Sequence, residues 1–224
     1  MVQNSAARES ISQPGKEYPI TYSRWQLLAK RVLDLFVSFV LLILLSPLLL
    51  FIALWIRMDS SGPIIFKQTR IGLHGKPYTI YKFRTMVTNA DEIMKAKLAK
   101  LESLENFTFQ EKDDPRITPS GRFLRKLSFD ELPQLLNILI GNMSLVGPRP
   151  EVPDIVKHYT TEQHRRLNLL PGVTGLAQVN GRSELTLAET MSYDLEYVHR
   201  WSFWLDLQIL WKTVFVVLTG KGAY

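Results

Sequence analysis

The chain has no cysteine and only four histidines among its 224 residues. Without cysteine, disulfides, thiolate catalysis and cysteine-ligated zinc or iron–sulfur centres are excluded. The histidines never occur as His-x-x-x-His, and the sequence has no internal repeat or low-complexity tract. Chemistry must therefore be sought among carboxylates and cationic side chains.

Hydrophobic residues make up 46% of the chain, which excludes a largely disordered protein and favours one globular core with an appendage. The formal net charge of +6 suits anionic headgroups, nucleic acid or phosphorylated metabolites. Because the basic residues are dispersed and no nucleic-acid-binding motif is present, no nucleic-acid partner is predicted.

One uncharged run of 22 residues, Leu35 to Ile56, is long enough to enter a membrane. As a straight helix it would reach roughly 33 Å, about the thickness of a hydrocarbon core. Ser46-Pro47 lies near its middle, where proline removes a backbone donor and predicts a break. Basic residues flank the run on both sides, so the positive-inside rule places both ends in the cytoplasm. We expect a re-entrant helix-break-helix over residues 24–58.

Asp34 stands one residue before this run and requires a partner near the membrane interface. Lys30 and Arg31, four and three residues earlier, lie on the same helical face and are the predicted partners. The alternative is a solvated charge at headgroup level.

The pattern predicts an α+β, mostly helical protein with a polar N-terminal segment (1–23) and a cytosolic, membrane-associated domain with amphipathic interfacial helices (59–224). Short strands around Gly72 and Gly75 indicate a β-hairpin. An amphipathic helix is expected over 89–105, a loop over 113–121, and a helix over 132–140 that Gly141 ends. One or two helices are expected within 185–218, where Trp201, Trp204 and Trp211 form either an aromatic membrane face or core.

Asp130 and Glu131 are adjacent carboxylates that repel each other, so a fold that keeps both ionised needs cations close by. Arg122, Arg125 and Lys126 precede them within eight residues. This combination suits a site for a phosphorylated anion and a metal. The structural alternative is a helix cap, either Asp130 itself or a capping box from Ser128 to Glu131.

Two further segments present polar side chains in constrained backbone. Gly147-Pro148-Arg149-Pro150 cannot be helical and fixes Arg149 in place, unless it is a plain connector. Residues 171–182 contain three glycines and end in Arg182, a composition that suits close approach to a ligand or a turn-rich strand. Asp206 lies within an apolar stretch and must be paired or functional.

Taken together, these segments resemble the bacterial sugar transferase family, the monotopic polyprenyl-phosphate phosphoglycosyl transferases. The resemblance runs from about Lys30 to the C-terminus and suits the small form of the family. Six blocks carry it, in this order: Lys30-Arg31-x-x-Asp34, Ser46-Pro47, Tyr81-Lys82-Phe83-Arg84-Thr85-Met86, Asp130-Glu131-Leu132-Pro133-Gln134, Gly147-Pro148-Arg149-Pro150 and Pro171–Arg182.

The resemblance implies transfer of a sugar-1-phosphate from a UDP-sugar to a polyprenyl (undecaprenyl) phosphate, with release of UMP. It implies a covalent phosphosugar intermediate on Asp130, Mg²⁺ held at Asp130 and Glu131, and a role for Glu131 in catalysis. The expected phosphate and nucleotide-sugar contacts are Lys82, Arg125, Arg149, Arg182 and Asp206. Leu170 departs from the family pattern, in which a basic residue often precedes Pro-Gly, so one such contact is expected to be absent or supplied from elsewhere.

The implied location is the inner leaflet of the bacterial cytoplasmic membrane, with the catalytic domain facing the cytoplasm, at the first membrane step of glycan or exopolysaccharide assembly. A non-catalytic, membrane-anchored scaffold that binds anionic lipid or an assembly partner is the alternative. The identity of the sugar and the oligomeric state, a homo-oligomer included, are left open by the sequence.

Overall fold

A computed structural model describes residues 22–90, 92–93, 114 and 116–219. The predicted helix over 89–105 and the polar segment 1–23 fall largely outside these residues. The chain begins with two helices, α1 (Arg24–Leu44) and α2 (Ser46–Asp59), whose axes meet at an angle of 63°. The predicted break within the apolar run is therefore confirmed.

The chemistry of Ser46 and Pro47 explains the break. Pro47 has no N–H to donate to the carbonyl of Ile43, four residues earlier. The Ser46 hydroxyl donates to that carbonyl instead, at 2.8 Å. Pro47 lies in the first turn of α2, where a missing donor carries no penalty. The chain can thus bend without leaving the Ile43 carbonyl unpaired.

An antiparallel hairpin of β1 (Ile65–Ile71) and β2 (Pro77–Phe83) follows, as predicted. In its register Arg70 faces Tyr78, and Lys82 faces Phe66. The side chain of Asn137 pairs with the outer edge of β2, accepting from Tyr81 N at 3.0 Å and donating to Thr79 O at 2.7 Å. This contact fixes the hairpin against the helix that carries Asn137.

Helix α3 (Pro119–Lys126) occupies part of the segment that we expected to be a loop. Thr118 caps it by accepting from Gly121 N at 3.1 Å, and Pro119 takes the first helical position. A 3₁₀ turn (Phe129–Glu131) and helix α4 (Gln134–Ile140) come next. Gly141 ends α4 with φ of +100°, which confirms the predicted stop.

A second, two-stranded sheet joins β3 (Ser144–Val146) in parallel to β4 (Gly172–Thr174). Gly147 and Gly172 permit the contact at its end: a Cβ on Gly147 would lie 2.2 Å from Leu170 O, and one on Gly172 would lie 2.1 Å from Gly147 N. The glycines of the 171–182 segment thus serve backbone packing, which fixes where residues 148–150 begin.

The remaining elements surround this sheet. They are α5 (Pro153–Val156), a 3₁₀ helix (Gln163–Asn168), α6 (Leu176–Asn180), a 3₁₀ turn (Arg182–Glu184), α7 (Leu187–Arg200) and α8 (Phe203–Thr219). The larger hydrophobic core combines β2, α4, β3, α7 and α8, with Trp201 inside it. A smaller core under α2 includes Ile52, Ile56, Phe83 and Leu124. The protein is mostly helical with two small sheets.

The polar edge of α1 faces the rest of the domain. Lys30 does not pair with Asp34 but with Asp206 of α8, at 2.6 Å. Arg31 donates to the carbonyls of Ile138 and Leu139 at the end of α4. Asp34 accepts from Leu145 N at 3.0 Å and is buried. Of the two predicted partners of Asp34, Lys30 still attracts its carboxylate electrostatically although its direct contact is with Asp206. Arg31 instead contacts the end of α4, and burial excludes the solvated alternative.

Apolar side chains cover the opposite side of α1, α2 and part of α8. Phe36, Phe51 and Trp211 are each more than 60% exposed. Trp204 is exposed as well, whereas Trp201 is buried, so the core alternative is confirmed for Trp201 and the aromatic membrane face stays a prediction for Trp204 and Trp211. No single helix among the described residues is both long and apolar enough to cross a membrane, but α1 and α2 together meet that criterion as a bent pair.

Candidate active site

Asp130 and Glu131 lie in the 3₁₀ turn between α3 and α4. Ser128, the residue before this turn, adopts a left-handed conformation with φ of +57° and does not cap it with its side chain. Helix α4 begins after Pro133, also without a side-chain cap. The capping alternative for Ser128 or Asp130 is therefore not realised: the left-handed residue redirects the chain, and the Asp130 carboxylate contacts its own backbone amide instead of capping α4.

The two carboxylates differ in their surroundings. Asp130 is only 8% exposed, and burial together with the neighbouring charge of Glu131 raises its pKa to about 6. Burial also opposes ionisation of Glu131, but Lys82 and Arg149 outweigh it and hold the pKa of Glu131 well below its usual range. Lys82 Nζ lies 2.6 Å from Glu131 Oε1. One carboxylate is thus firmly ionised and paired, and the other titrates near neutrality.

Four of the five predicted phosphate contacts gather around this pair. Lys82 reaches Glu131 from β2, and the field of Arg149 acts on the same carboxylate. Arg125 interacts electrostatically with Asp130. Arg182 interacts with both carboxylates and donates to the Ser128 hydroxyl. These cations come from four separate segments, so only the tertiary fold brings them together.

Asp206, the fifth predicted contact, lies elsewhere. Its carboxylate accepts from Lys30 Nζ and from Tyr197 OH, each at 2.6 Å, and from Trp201 Nε1 at 3.2 Å. It is 1% exposed. Of the two roles that the sequence left open for Asp206, paired or functional, the geometry favours the buried structural pair.

Two of the arginines present donors that no protein group in the described residues uses. Nη1 of Arg125 and Nη1 of Arg182 are buried without a hydrogen-bond partner in the described part of the chain. Arg125 Nε already donates to Thr85 Oγ1 at 3.1 Å, which fixes the orientation of its guanidinium. Buried donors without partners are costly, so this arrangement suits occupation by phosphate oxygens.

Sequence reasoning did not assign Arg70 and Gln134 to this site. Both line the same recess as Lys82, Glu131 and Arg149. Arg70 counted only as a basic residue flanking the apolar run, although the alternation along a hairpin places it on the same face as Lys82. Gln134 follows the carboxylates in the sequence block and is buried.

The donor set also bears on a metal. Within the described residues, no group of three or more His, Cys, Asp or Glu side chains converges. Mg²⁺ is commonly held by one or two carboxylates together with substrate phosphates and water. Asp130 and Glu131 therefore fit a site that a phosphorylated substrate completes.

Known proteins of similar sequence identify the family. The family model described as bacterial sugar transferase matches residues 25–220. An uncharacterized sugar transferase of Bacillus subtilis, EpsL, is 45% identical over 88% of this chain and 90% of its own length. The undecaprenyl-phosphate galactose phosphotransferase of Salmonella typhimurium is 45% identical over 87% of this chain. The UDP-glucose:undecaprenyl-phosphate glucose-1-phosphate transferase of Escherichia coli is 41% identical over 88%.

The match covers 41% and 42% of those two phosphotransferases, so this chain corresponds to about two fifths of their length. The match to the family model takes in all six sequence blocks that carried the resemblance, and it confirms the expectation of a transferase. The chain belongs to the bacterial sugar transferase family.

Proposed function

We propose that the protein transfers a sugar-1-phosphate from a UDP-sugar to a polyprenyl phosphate and releases UMP. The observation that carries this proposal is the position of Asp130, a nearly buried carboxylate that shares its surroundings with Lys82, Arg125, Arg149 and Arg182. The names of the Salmonella and Escherichia coli relatives support the same reaction class.

In the first step an oxygen of Asp130 attacks the β-phosphorus of the UDP-sugar. A bond forms between that oxygen and phosphorus, the bond to the bridging oxygen breaks, and UMP leaves. The sugar phosphate is then an acyl phosphate on Asp130. Arg125 and Arg182, whose Nη1 donors lack partners, offset the repulsion between the carboxylate and the phosphoryl oxygens.

In the second step an oxygen of the polyprenyl phosphate attacks the same phosphorus, and the Asp130 carboxylate is released. The product is a polyprenyl diphosphate sugar, the first membrane-bound intermediate of a glycan or exopolysaccharide. Glu131 stays ionised throughout because Lys82 holds it. Its role is to keep Lys82 in the site and to balance the surrounding cations.

Asp130 and Glu131 would hold Mg²⁺ with the substrate diphosphate. When bound, the ion would neutralise phosphoryl charge and favour UMP as a leaving group. Since Glu131 Oε1 is engaged by Lys82, its remaining oxygen and the Asp130 carboxylate are the available donors.

The bent pair α1–α2 would insert into the inner leaflet of the cytoplasmic membrane, with both ends and the catalytic domain on the cytoplasmic side. The exposed apolar side chains of α1, α2 and α8 support this placement. One substrate is water-soluble and the other lies in the leaflet, so a site beside this surface can reach both.

The reaction is tested by incubating the purified protein with polyprenyl phosphate and a panel of UDP-sugars and measuring UMP. The panel includes UDP-glucose, UDP-galactose and their N-acetylated amino-sugar counterparts. We expect lipid-dependent UMP release with at least one of them and none from Asp130→Asn. Asp154→Asn, which alters an exposed carboxylate, is the control. Normal turnover by Asp130→Asn would exclude it as the nucleophile.

The membrane topology is tested with single cysteines, which the cysteine-free chain makes unambiguous. Ser23→Cys and Ser61→Cys lie on either side of the bent pair and are exposed. In inverted membrane vesicles both should react with an impermeant maleimide, whereas Leu44→Cys should be protected. Labelling of the two flanking positions from opposite faces would contradict the re-entrant arrangement.

A further inference from the structure

One buried ion pair holds both backbone polar groups of Arg149. Asp194 Oδ2, on α7, accepts from Arg149 N at 3.1 Å. Arg166 Nη2, on the 3₁₀ helix before β4, donates to Arg149 O at 2.8 Å and also to the same Asp194 oxygen. The N–H and the C=O of a single residue are therefore fixed by two side chains that also bind each other.

The surroundings of this pair are closed to water. The side chain of Asp194 is fully buried and that of Arg166 is 2% exposed. The other terminal nitrogen of Arg166 donates to Tyr159 OH and Met191 Sδ, and its guanidinium lies over the Tyr159 ring at 5.5 Å from the centroid. Every one of these contacts restricts the guanidinium to one orientation.

Arg149 depends on such anchoring because of its neighbours. Pro148 and Pro150 have no N–H, so Arg149 supplies the only backbone donor in residues 148–150. No helix or strand contains this segment. Pro148 O still accepts from Gly172 N of β4 at 3.0 Å, but the N–H and C=O of Arg149 bond to Asp194 and Arg166 in place of a neighbouring strand.

Buried ion pairs contribute little net stability, since the desolvation of both charges opposes their attraction. This pair instead fixes the backbone of Arg149 and with it the position of the Arg149 Cα and Cβ atoms. Arg149 lines the recess with Lys82 and Glu131 and helps to keep Glu131 ionised.

We propose that Arg166 and Asp194 are positioning residues that hold the Arg149 backbone and thereby place its guanidinium at the phosphate-binding recess. They do not touch the substrate. That Arg149 binds a substrate phosphate rests on the proposed function. The anchoring of the Arg149 backbone does not depend on that function.

Hydrogen–deuterium exchange tests the anchoring without any substrate. In a peptide covering 147–151 the two prolines carry no exchangeable amide and Gly147 becomes the N-terminal amine, so Arg149 and Glu151 are the two reporting amides. Arg166→Lys keeps the charge but has one ammonium group in place of a fork, and Asp194→Asn keeps the shape. Each should speed exchange of this peptide about tenfold, the equivalent of roughly 1.4 kcal/mol. Unchanged exchange in both variants would overturn the proposal.

A double-mutant cycle tests the consequence for catalysis. Arg166→Lys should lower kcat/KM for UMP release about tenfold in the wild-type background but less than about twofold in an Arg149→Ala background. Positioning acts through Arg149 and is lost with it, whereas a general structural defect would multiply the two losses. Multiplied losses would therefore overturn the proposal.

Glu196→Gln is the matched control, because Glu196 lies on the same helix and pairs with Arg200 at the surface. It should change neither exchange nor kcat/KM. If the wild type releases no UMP with any UDP-sugar, the proposed function fails, and the exchange experiment still decides whether Arg166 and Asp194 anchor Arg149.

Discussion

Adjacent carboxylates can have different roles when their surroundings shift their pKa values in opposite directions. That is the case for Asp130 and Glu131. Lys82 contacts Glu131 directly and stabilises its ionised form. Burial and the negative charge of Glu131 both oppose ionisation of Asp130. A group with a raised pKa is a stronger base once ionised, and it reaches that state near neutral pH. The asymmetry supports Asp130, not Glu131, as the nucleophile.

The raised pKa of Asp130 predicts a titration near pH 6 in the metal-free protein. A carboxyl of ordinary pKa titrates near 3.9, so the two cases are well separated. Since the carboxylate is the attacking form, turnover should fall as the pH drops through the midpoint that Asp130 has under the assay conditions. The measurement is the ¹³C shift of labelled aspartate Cγ, with Asp130→Asn to identify the signal.

Mg²⁺ added to the same sample should move this midpoint to lower pH, because a cation beside the carboxylate favours its ionised form. Ca²⁺ and Na⁺ serve as comparisons for charge and ionic strength. A midpoint close to 4 without metal would contradict the raised pKa, and a midpoint that ignores Mg²⁺ would contradict the metal assignment.

Replacing Lys82 should lower activity by more than the loss of one positive charge would, because Lys82 is in direct contact with Glu131. In Lys82→Met the pKa of Glu131 rises and the site loses one cation. Leaving a half-buried carboxylate without its partner costs about 2 kcal/mol, or roughly thirtyfold in kcat/KM. Lys67→Met alters an exposed lysine on the same hairpin and should have little effect. Equal kinetics of the two variants would exclude this role.

Among the elements, the hairpin and the end of α4 were predictable because their signals are local. Glycines mark the turn after β1, and Gly141 supplies the positive φ that ends α4. Helix α3 carries a local signal too, because Thr118-Pro119 is an N-cap followed by proline at the first helical position. The prolines and glycine of 113–121 favour a loop equally, and the cap decides in favour of the helix.

Other features had no local signal. Ser128 adopts a left-handed conformation although it is not glycine, and Arg182, its hydrogen-bond partner, does so as well. Tertiary contacts impose such conformations, so a capping pattern read from sequence alone fails here. Arg166 and Asp194 reach Arg149 from 17 and 45 residues away, a distance that no spacing rule covers.

The bend between α1 and α2 should depend on Pro47. In Pro47→Ala the N–H returns and can donate to Ile43 O, so one continuous helix over residues 24–59 becomes favourable, by up to about 3 kcal/mol. Such a helix is long enough to cross the bilayer. We expect Ser23→Cys and Ser61→Cys to label from opposite faces in this background. Leu50→Ala, an exposed change on α2, should leave labelling as in the parent. Unchanged labelling in Pro47→Ala would assign the bend to packing.

At the scale of the whole molecule, buried polar side chains on one face of α1 join it to the catalytic domain, while its opposite face is apolar and exposed. Lys30 donates to Val146 O at 2.8 Å as well as to Asp206, and Val146 immediately precedes Gly147. Asp34 accepts from the backbone N–H of Leu145, the residue directly before Val146 in the same strand. The helix proposed to lie in the membrane therefore bears directly on the strand that leads to Arg149.

Lys30 should be among the residues on which stability depends most. In Lys30→Met the buried Asp206 carboxylate keeps Tyr197 and Trp201 but loses its only cation in the described structure. Removal of one partner from a buried pair costs about 3–5 kcal/mol. Lys157→Met breaks an exposed pair with Asp154 and should cost less than about 0.5 kcal/mol. Thermal unfolding in detergent compares the two. If Lys30→Met unfolded at the temperature of the control, the pair of Lys30 with Asp206 would contribute no net stability, and α1 would be held to the domain by Arg31, Asp34 and its apolar contacts.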